Sequence, residues 1–248
     1  MVMLLIDSGN SAIKCRLIKS GNIVDQTFST YEDESLQGFT QYLTTVRPDE
    51  IFLASVSPEA ITRKIKQIAF KCLNLDVIQL TTLAELSGLK NGYTNYKKLG
   101  VDRWLTLVAA FDPIKSDSII IDFGSAITID LLSVTKGHLG GAILPGFNTR
   151  RERFEKMFPE VDFEHPEISQ TDVPGRTTAS CIHITEVPVT IHQIKKLLDK
   201  WVYLLEKPVK ILLCGQDSNL VGRQLDEDYQ IIPDLVFKGM LKQIQLQG

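Results

Sequence analysis

Two short segments combine a carboxylate with glycine in a way that suits a phosphate site. The apolar run Val2 to Ile6 ends at Asp7-Ser8-Gly9-Asn10, and the run Ser118 to Ile121 ends at Asp122-Phe123-Gly124-Ser125. Glycine lets a backbone approach a phosphate closely, and the N–H groups of a turn donate to its oxygens. A carboxylate at the end of a buried strand can hold Mg²⁺ directly or through water. Lys14, just beyond the first turn, can add positive charge near a phosphate. A single Asp-x-Gly is a common turn, so the weight of this reading comes from the second copy. A third segment, Leu99-Gly100-Val101-Asp102-Arg103-Trp104, follows Asn91-Gly92-Tyr93. Asp102 falls at a helix start, where a carboxylate is favoured on structural grounds alone. The same carboxylate could instead orient a hydroxyl and take its proton as an O–P bond forms. Arg103 can pair with an anionic substrate group or make a surface ion pair. Trp104 reads as core.

These residues need elements to position them, and the elements come in two similar sets. After Asp7-x-Gly9 a second strand runs from Ser11 to Ile18, turns at Lys19-Ser20-Gly21-Asn22 and continues into a third strand at Ile23. After Asp122-x-Gly124 a strand runs from Ala126 to Val134, turns at Thr135-Lys136-Gly137-His138 and continues through Leu139. Asp7 precedes Gly21 by 14 positions and Asp122 precedes Gly137 by 15. Such paired hairpins predict a duplicated α/β fold with domains at 1–114 and 115–248, the two Asp-x-Gly turns facing one interdomain cleft suited to a nucleotide.

Between the hairpins, Ile51 to Val56 reads as a buried strand. Ser57-Pro58-Glu59 opens a helix that runs to about Cys72. Val77 to Leu80 is a short strand, and a helix from Asp102 to Phe111 is expected to end at Asp112-Pro113. In the second half a helix spans Val187 to Leu205, a strand runs from Val209 to Cys214 and ends at Gly215, and Pro233 to Leu246 forms a last helix. Residues 159–176 carry several prolines and acids and little periodicity, which predicts a loop.

Composition removes several function classes. Hydrophobic residues make up 44% and charged residues 23%, the balance of a globular protein with a sizeable core. The net charge of −3 argues against nucleic acid as a partner. The densest basic run, Arg150-Arg151-Glu152-Arg153, reads as a solvated helix start. No apolar run approaches the roughly 20 residues that cross a bilayer, and the first residues lack the basic flank of a signal peptide. The four scattered cysteines read as reduced, mostly buried residues of a cytoplasmic protein. No P-loop and no GxGxxG is present, so a nucleotide would be held by the hairpin turns. The histidines share no metal-ligand spacing with one another, with Cys or with acids.

Together the segments resemble the type III pantothenate kinases. Asp7-Ser8-Gly9-Asn10-Ser11-Ala12-Ile13-Lys14 is similar to the first phosphate motif of that family and Asp122-Phe123-Gly124-Ser125-Ala126-Ile127-Thr128 to the second. Leu99 to Trp104 is similar to the substrate motif. Gly140-Gly141-Ala142-Ile143-Leu144-Pro145-Gly146 and Pro233 to Gly239 match further segments in order. The resemblance implies the actin-like ATPase fold, with two ribonuclease H-like domains, and transfer of the γ-phosphoryl of ATP to the primary hydroxyl of pantothenate, the first step towards coenzyme A. It implies Asp102 as general base and contacts to ATP from Asp7, Ser8, Gly9, Asn10, Ser11, Ala12, Ile13, Lys14 and Ser125. Pantothenate would meet Tyr93, Gly100, Val101, Asp102, Arg103 and Thr178. Mg²⁺ would accompany ATP, Asp122 would help bind a monovalent cation (K⁺ or NH₄⁺), and the chain would form a homodimer. The chain departs from the family at Asn10 and Ser125, where Thr is usual, at Tyr96, at Gln216 after Gly215 and at Thr185. A kinase of this fold with a sugar or acid acceptor, and a non-catalytic nucleotide-binding regulator, are the competing readings. Retention of Asp7, Asp102 and Asp122 weighs against the regulator.

Overall fold

The computed structural model describes residues 1–31, 35–114, 116–161, 174–206, 208–222, 225 and 228–247. They form two compact units. The first holds residues 1–115, 136–139 and 234–248, and the second holds 116–135 and 140–233.

The first unit starts with β1 (Val2–Ser8), β2 (Ala12–Lys19) and β3 (Asn22–Thr30), followed by α1 (Gln37–Val46), β4 (Glu50–Ser55), α2 (Glu59–Leu73) and β5 (Val77–Gln79). The strands form one sheet in the order β3-β2-β1-β4-β5, with β1, β2 and β3 antiparallel and β4 and β5 parallel to β1. The β2–β3 turn needs positive φ at both central residues, and Ser20 (51°) and Gly21 (80°) supply it. Leu4, Leu5 and Ile6 are fully buried, because β1 is central and covered on both faces. Leu4 and Ile6 join Ile13, Cys15, Leu17, Leu43 and Ile65 in a core beneath α1 and α2. A small hairpin, β6 (Glu85–Leu86) and β7 (Leu89–Lys90), precedes α3 (Val101–Ile114).

The second unit repeats this order. It contains β8 (Ser118–Phe123), β9 (Ala126–Ser133), β10 (Gly137–Pro145), α4 (Phe147–Met157), α5 (Thr178–Trp201), β11 (Lys210–Gly215), α6 (Ser218–Gly222) and β12 (Tyr229–Ile231). The sheet order is β10-β9-β8-β11-β12, with β8 and β9 antiparallel and β11 and β12 parallel to β8. Both sheets therefore have the ribonuclease H-like arrangement, and the duplication expected from the hairpins is present in the strand order. The last helix, α7 (Leu235–Gln247), packs on α3 and β1 of the first unit.

Several element ends differ from expectation. α3 continues through Asp112-Pro113 to Ile114, since its long contact with α7 outweighs the local preference of proline to end a helix. α5 begins at Thr178 rather than Val187, because the Thr177 and Ser180 side chains form a reciprocal capping box. Pro188 lies inside this helix. Of the expected 159–176 loop, residues 162–173 lie outside the described residues. Cys15 and Cys214 are buried, whereas Cys72 and Cys181 are exposed; all four are free thiols. No described helix is long and apolar enough to cross a membrane.

Candidate functional site

In the first turn, β1 delivers Asp7 and Ser8 to the end of the central strand. The Gly9 N–H donates to the Ala12 carbonyl at 3.0 Å and closes the turn. The ladder sets Asp7 opposite Lys14. Asn10 and Ser11 are exposed at the tip. The Ser8 carbonyl accepts the N–H groups of Val56 (3.0 Å) and Ser57 (3.2 Å), which ties the turn to the chain leaving β4. A Cβ at Gly9 would meet only the Ala12 carbonyl oxygen, at 3.7 Å. The chain itself therefore does not demand glycine here, and the open space lies where a ligand would approach.

Gly100, Val101, Asp102 and Arg103 form the entry to α3. A Cβ at Gly100 would collide with Asp102 Oδ1 and touch Val56 Cγ1 at 3.6 Å. Glycine at 100 leaves room for the carboxylate in this orientation. Asp102, the second residue of α3, accepts the Arg103 N–H with Oδ1 at 2.8 Å, a contact within the first turn. Arg103 is buried, and its Nη1 donates to the Tyr93 hydroxyl at 2.6 Å while its guanidinium lies 5.4 Å from the Tyr93 ring centre. The Tyr93 ring stacks on His138 at 5.8 Å. Asn91 fixes this loop, its Oδ1 accepting the Tyr93 N–H at 3.0 Å and its Nδ2 donating to the Leu83 carbonyl at 3.1 Å. A cavity of about 560 Å³ opens beside the start of α3, lined by Val56, Thr82, Tyr96, Lys97, Gly100 and Val101 among others. Trp104 is fully buried, as expected of core.

In the second unit the Gly124 N–H donates to the Ala126 carbonyl at 3.1 Å, closing a turn one residue shorter than the first. A Cβ at Gly124 would again meet nothing nearer than 3.7 Å. Gly146, at the start of α4, donates to the Ser125 carbonyl at 3.0 Å, and Thr149 Oγ1 donates to the same oxygen at 2.7 Å. A Cβ at Gly146 would lie 2.7 Å from that oxygen, so only glycine allows α4 to dock on the turn. Gly215, at φ 86°, ends β11 opposite Phe123, and a Cβ there would overlap the Phe123 carbonyl oxygen and lie 2.5 Å from Asp122 Oδ1. Gly100 thus leaves room for a carboxylate side chain, whereas Gly215 leaves room for both the Phe123 backbone and the Asp122 carboxylate.

Val56 donates its N–H to the Ser8 carbonyl of the first turn and lines the same cavity as Gly100 and Val101, and Arg103 is held on Tyr93. It places Asp122 and Ser125 on one turn of the second unit. Thr178 is the exposed first residue of α5, next to the capping residue Thr177. The basic run of α4 is not merely solvated. Arg150 donates to Thr190 Oγ1, and Arg151 pairs with the buried Glu186 at 3.4 Å.

Sequence reasoning passed over Val56, Tyr31 and Asp217. Asp217 follows the carboxyl end of a strand parallel to β8, the place where α/β sheets gather ligands, and that position was its available signal. Burial pushes the Asp217 carboxyl above the usual carboxylate range, with Arg151 pulling it down less strongly. A raised folded-state value stabilises the protonated form, so its contribution is favourable in acid and is lost as pH rises through the raised value. Asp217→Asn should therefore raise the melting temperature at pH 7 to 8, and the gain should shrink as pH falls towards 4. A gain that is equal at both ends of this range, or no gain, would refute the assignment.

The sequence model of the type III pantothenate kinases matches residues 3–200. The chain belongs to the type III pantothenate kinase family. A type III pantothenate kinase from Pseudomonas aeruginosa strain LESB58 is 30% identical over 244 residues, covering 96% of this chain and 97% of the relative. One from Ectopseudomonas mendocina is 28% identical over 255 residues, with the same coverage. Among solved structures, one described as a 2-dehydro-3-deoxygalactonokinase from Sinorhizobium meliloti superposes with a TM-score of 0.62 at 11% identity, covering 98% of this chain and 96% of that one. One described as a Baf family transcriptional activator from Campylobacter jejuni gives 0.57 at 22% identity, covering 98% and 97%. These structural likenesses establish the shared actin-like and sugar-kinase fold.

Proposed function

We propose that this chain transfers the γ-phosphoryl group of ATP to the primary hydroxyl of pantothenate, with Asp102 as general base. The observation that carries the proposal is the placement of the Asp102 carboxylate in the first turn of α3, with room left by Gly100 and the buried Arg103 next to it. The Arg103 N–H fixes the carboxylate through Oδ1, and a carboxylate so oriented can present an oxygen to an incoming hydroxyl. Arg103, buried and held on Tyr93, suits the acceptor's carboxylate. Thr178 is assigned to the same substrate on the family resemblance.

The Asp7–Lys14 turn and Ser125 are assigned to ATP, since glycine at Gly9 and Gly124 serves no internal need. Mg²⁺ fits this donor set, because it is commonly held by one or two carboxylates together with substrate phosphates. Bound there it would neutralise phosphate charge. Asp122, with Gly215 keeping its carboxylate clear, is assigned to K⁺ or NH₄⁺. The duplicated hairpins support domains at 1–114 and 115–248, with the last helix packed on the first unit, and a cytoplasmic homodimer is part of the same reading.

A coupled assay with ATP, with and without pantothenate, in K⁺ and then in Na⁺, tests the function. Pantothenate-dependent turnover that needs K⁺ is expected. Turnover with another alcohol and none with pantothenate would remove the substrate while keeping the reaction class. Gly9→Ala supplies a narrower test. The added methyl meets no atom of the chain closely, so the melting temperature should hold within a few degrees. It does occupy the phosphate approach, so the KM for ATP should rise about tenfold or more, about 1.4 kcal/mol of lost binding. An unchanged KM would move ATP away from this turn.

A further inference from the structure

Tyr31 follows β3 and is half-buried. Its hydroxyl reaches three atoms of the first turn. It lies 2.8 Å from Ser8 Oγ, 2.9 Å from the Gly9 carbonyl oxygen and 3.2 Å from the Ala12 carbonyl oxygen. Ser8 is fully buried and donates to Ser57 Oγ at 2.9 Å. Ser57 meets Ser55 Oγ at 2.9 Å, and Ser55 meets Thr62 Oγ1 at 2.7 Å. A chain of hydroxyls thus runs from the phenol through the turn to the start of α2.

A trans peptide is planar, with its C=O and N–H on opposite sides. When the Gly9 carbonyl points at the phenol, the Asn10 N–H of the same peptide must point the other way, off the far side of the turn. The phenol also holds the Gly9 carbonyl oxygen, which could otherwise swing towards an anion and repel it. We infer that Tyr31 is a positioning residue, one that orients the Gly9–Asn10 peptide so that its N–H faces the polyphosphate of the nucleotide. Burial pushes the phenol's proton loss to higher pH, which keeps it a donor, although its hydrogen bonds with Ser8 and Ser57 oppose this. Nothing in the sequence pointed to Tyr31, because its partners come together only when β3 folds back along β2.

This inference rests on the ATP assignment of the first turn, and its test separates the two. Binding of ATP and of adenosine is measured by calorimetry on the full chain, alongside steady-state kinetics. Tyr31→Phe removes one oxygen and keeps the ring on the core. It should weaken ATP binding about tenfold, as the loss of one such hydrogen bond allows. Adenosine binding, kcat and the KM for pantothenate should stay within about twofold. Equal weakening of ATP and adenosine, or no weakening of ATP, would overturn the inference. Should Tyr31→Phe fail to fold by circular dichroism, hydrogen exchange on the wild-type chain is read in its place. ATP should slow exchange of the Asn10 amide and adenosine should not; equal protection by both, or none by ATP, overturns the inference. A wild-type chain that binds no ATP overturns the ATP assignment and this inference together. If wild type binds ATP and Gly9→Ala weakens it while Tyr31→Phe does not, the inference alone falls.

Discussion

Asp102→Asn is expected to lower kcat by about 10²-fold or more, the range for loss of a general base. The variant should remain folded. An asparagine Oδ1 can still accept the Arg103 N–H that Asp102 accepts at 2.8 Å. What is lost at the helix start is one negative charge near the N-terminal end of the dipole, worth about 0.3–1 kcal/mol. The drop in rate should therefore far exceed the small fall in melting temperature. Gly100→Ala gives the complementary result. It keeps the carboxylate and its charge but fills the space where Oδ1 sits. The short Asp102 side chain must rotate away, so kcat should fall while the KM for ATP is nearly kept. An unchanged rate in Asp102→Asn would leave Asp102 with its helix-start contact alone.

Gly239→Ala is the second large effect, and it acts on stability. Gly239 lies buried on α7 against α3. A Cβ there would overlap the Leu105 carbonyl oxygen and lie 2.6 Å from the Leu105 carbonyl carbon. The obstacle is helix backbone, which no rotamer change can remove, so the two helices must separate. Overpacking of this kind costs about 1–3 kcal/mol, occasionally more. Separation also strains the polar bridge one turn further along. There Trp104 Nε1 donates to Gln243 Oε1 at 2.9 Å, and Gln243 Nε2 donates to the Thr81 carbonyl at 3.1 Å. Because α3 carries Asp102 in its first turn, activity should fall along with the urea midpoint. A midpoint equal to wild type would mean that the helices pack less closely than the geometry states.

Much of this arrangement follows from local pattern. Continuous apolar runs at Val2–Ile6 and Ser118–Ile121 must be buried on both faces, and Asp-x-Gly after each run must turn the chain. Ser20-Gly21 can take the two positive φ values of a tight hairpin. Those features were sufficient to read two copies of one α/β plan, and the family motifs named the acids. Element ends were harder to read. The Pro113 and Thr178 ends depend on α7 packing and on a capping box that includes Ser180, neither of which hydrophobic periodicity registers.

The sequence by itself determined the duplicated hairpins, the positions of Asp7, Asp102 and Asp122, and the family that carries them. Tertiary structure alone decided how those carboxylates are served. Gly215 reaches the Asp122 carboxylate only because β11 pairs with β8. Val56 and Tyr31 reach the first turn from separate strands. Burial gives Asp217 a titration its residue type does not predict. Side-chain type and spacing are written along the chain. Clearance, orientation and desolvation arise only when distant segments pack together, and the two Asp-x-Gly turns depend on all three.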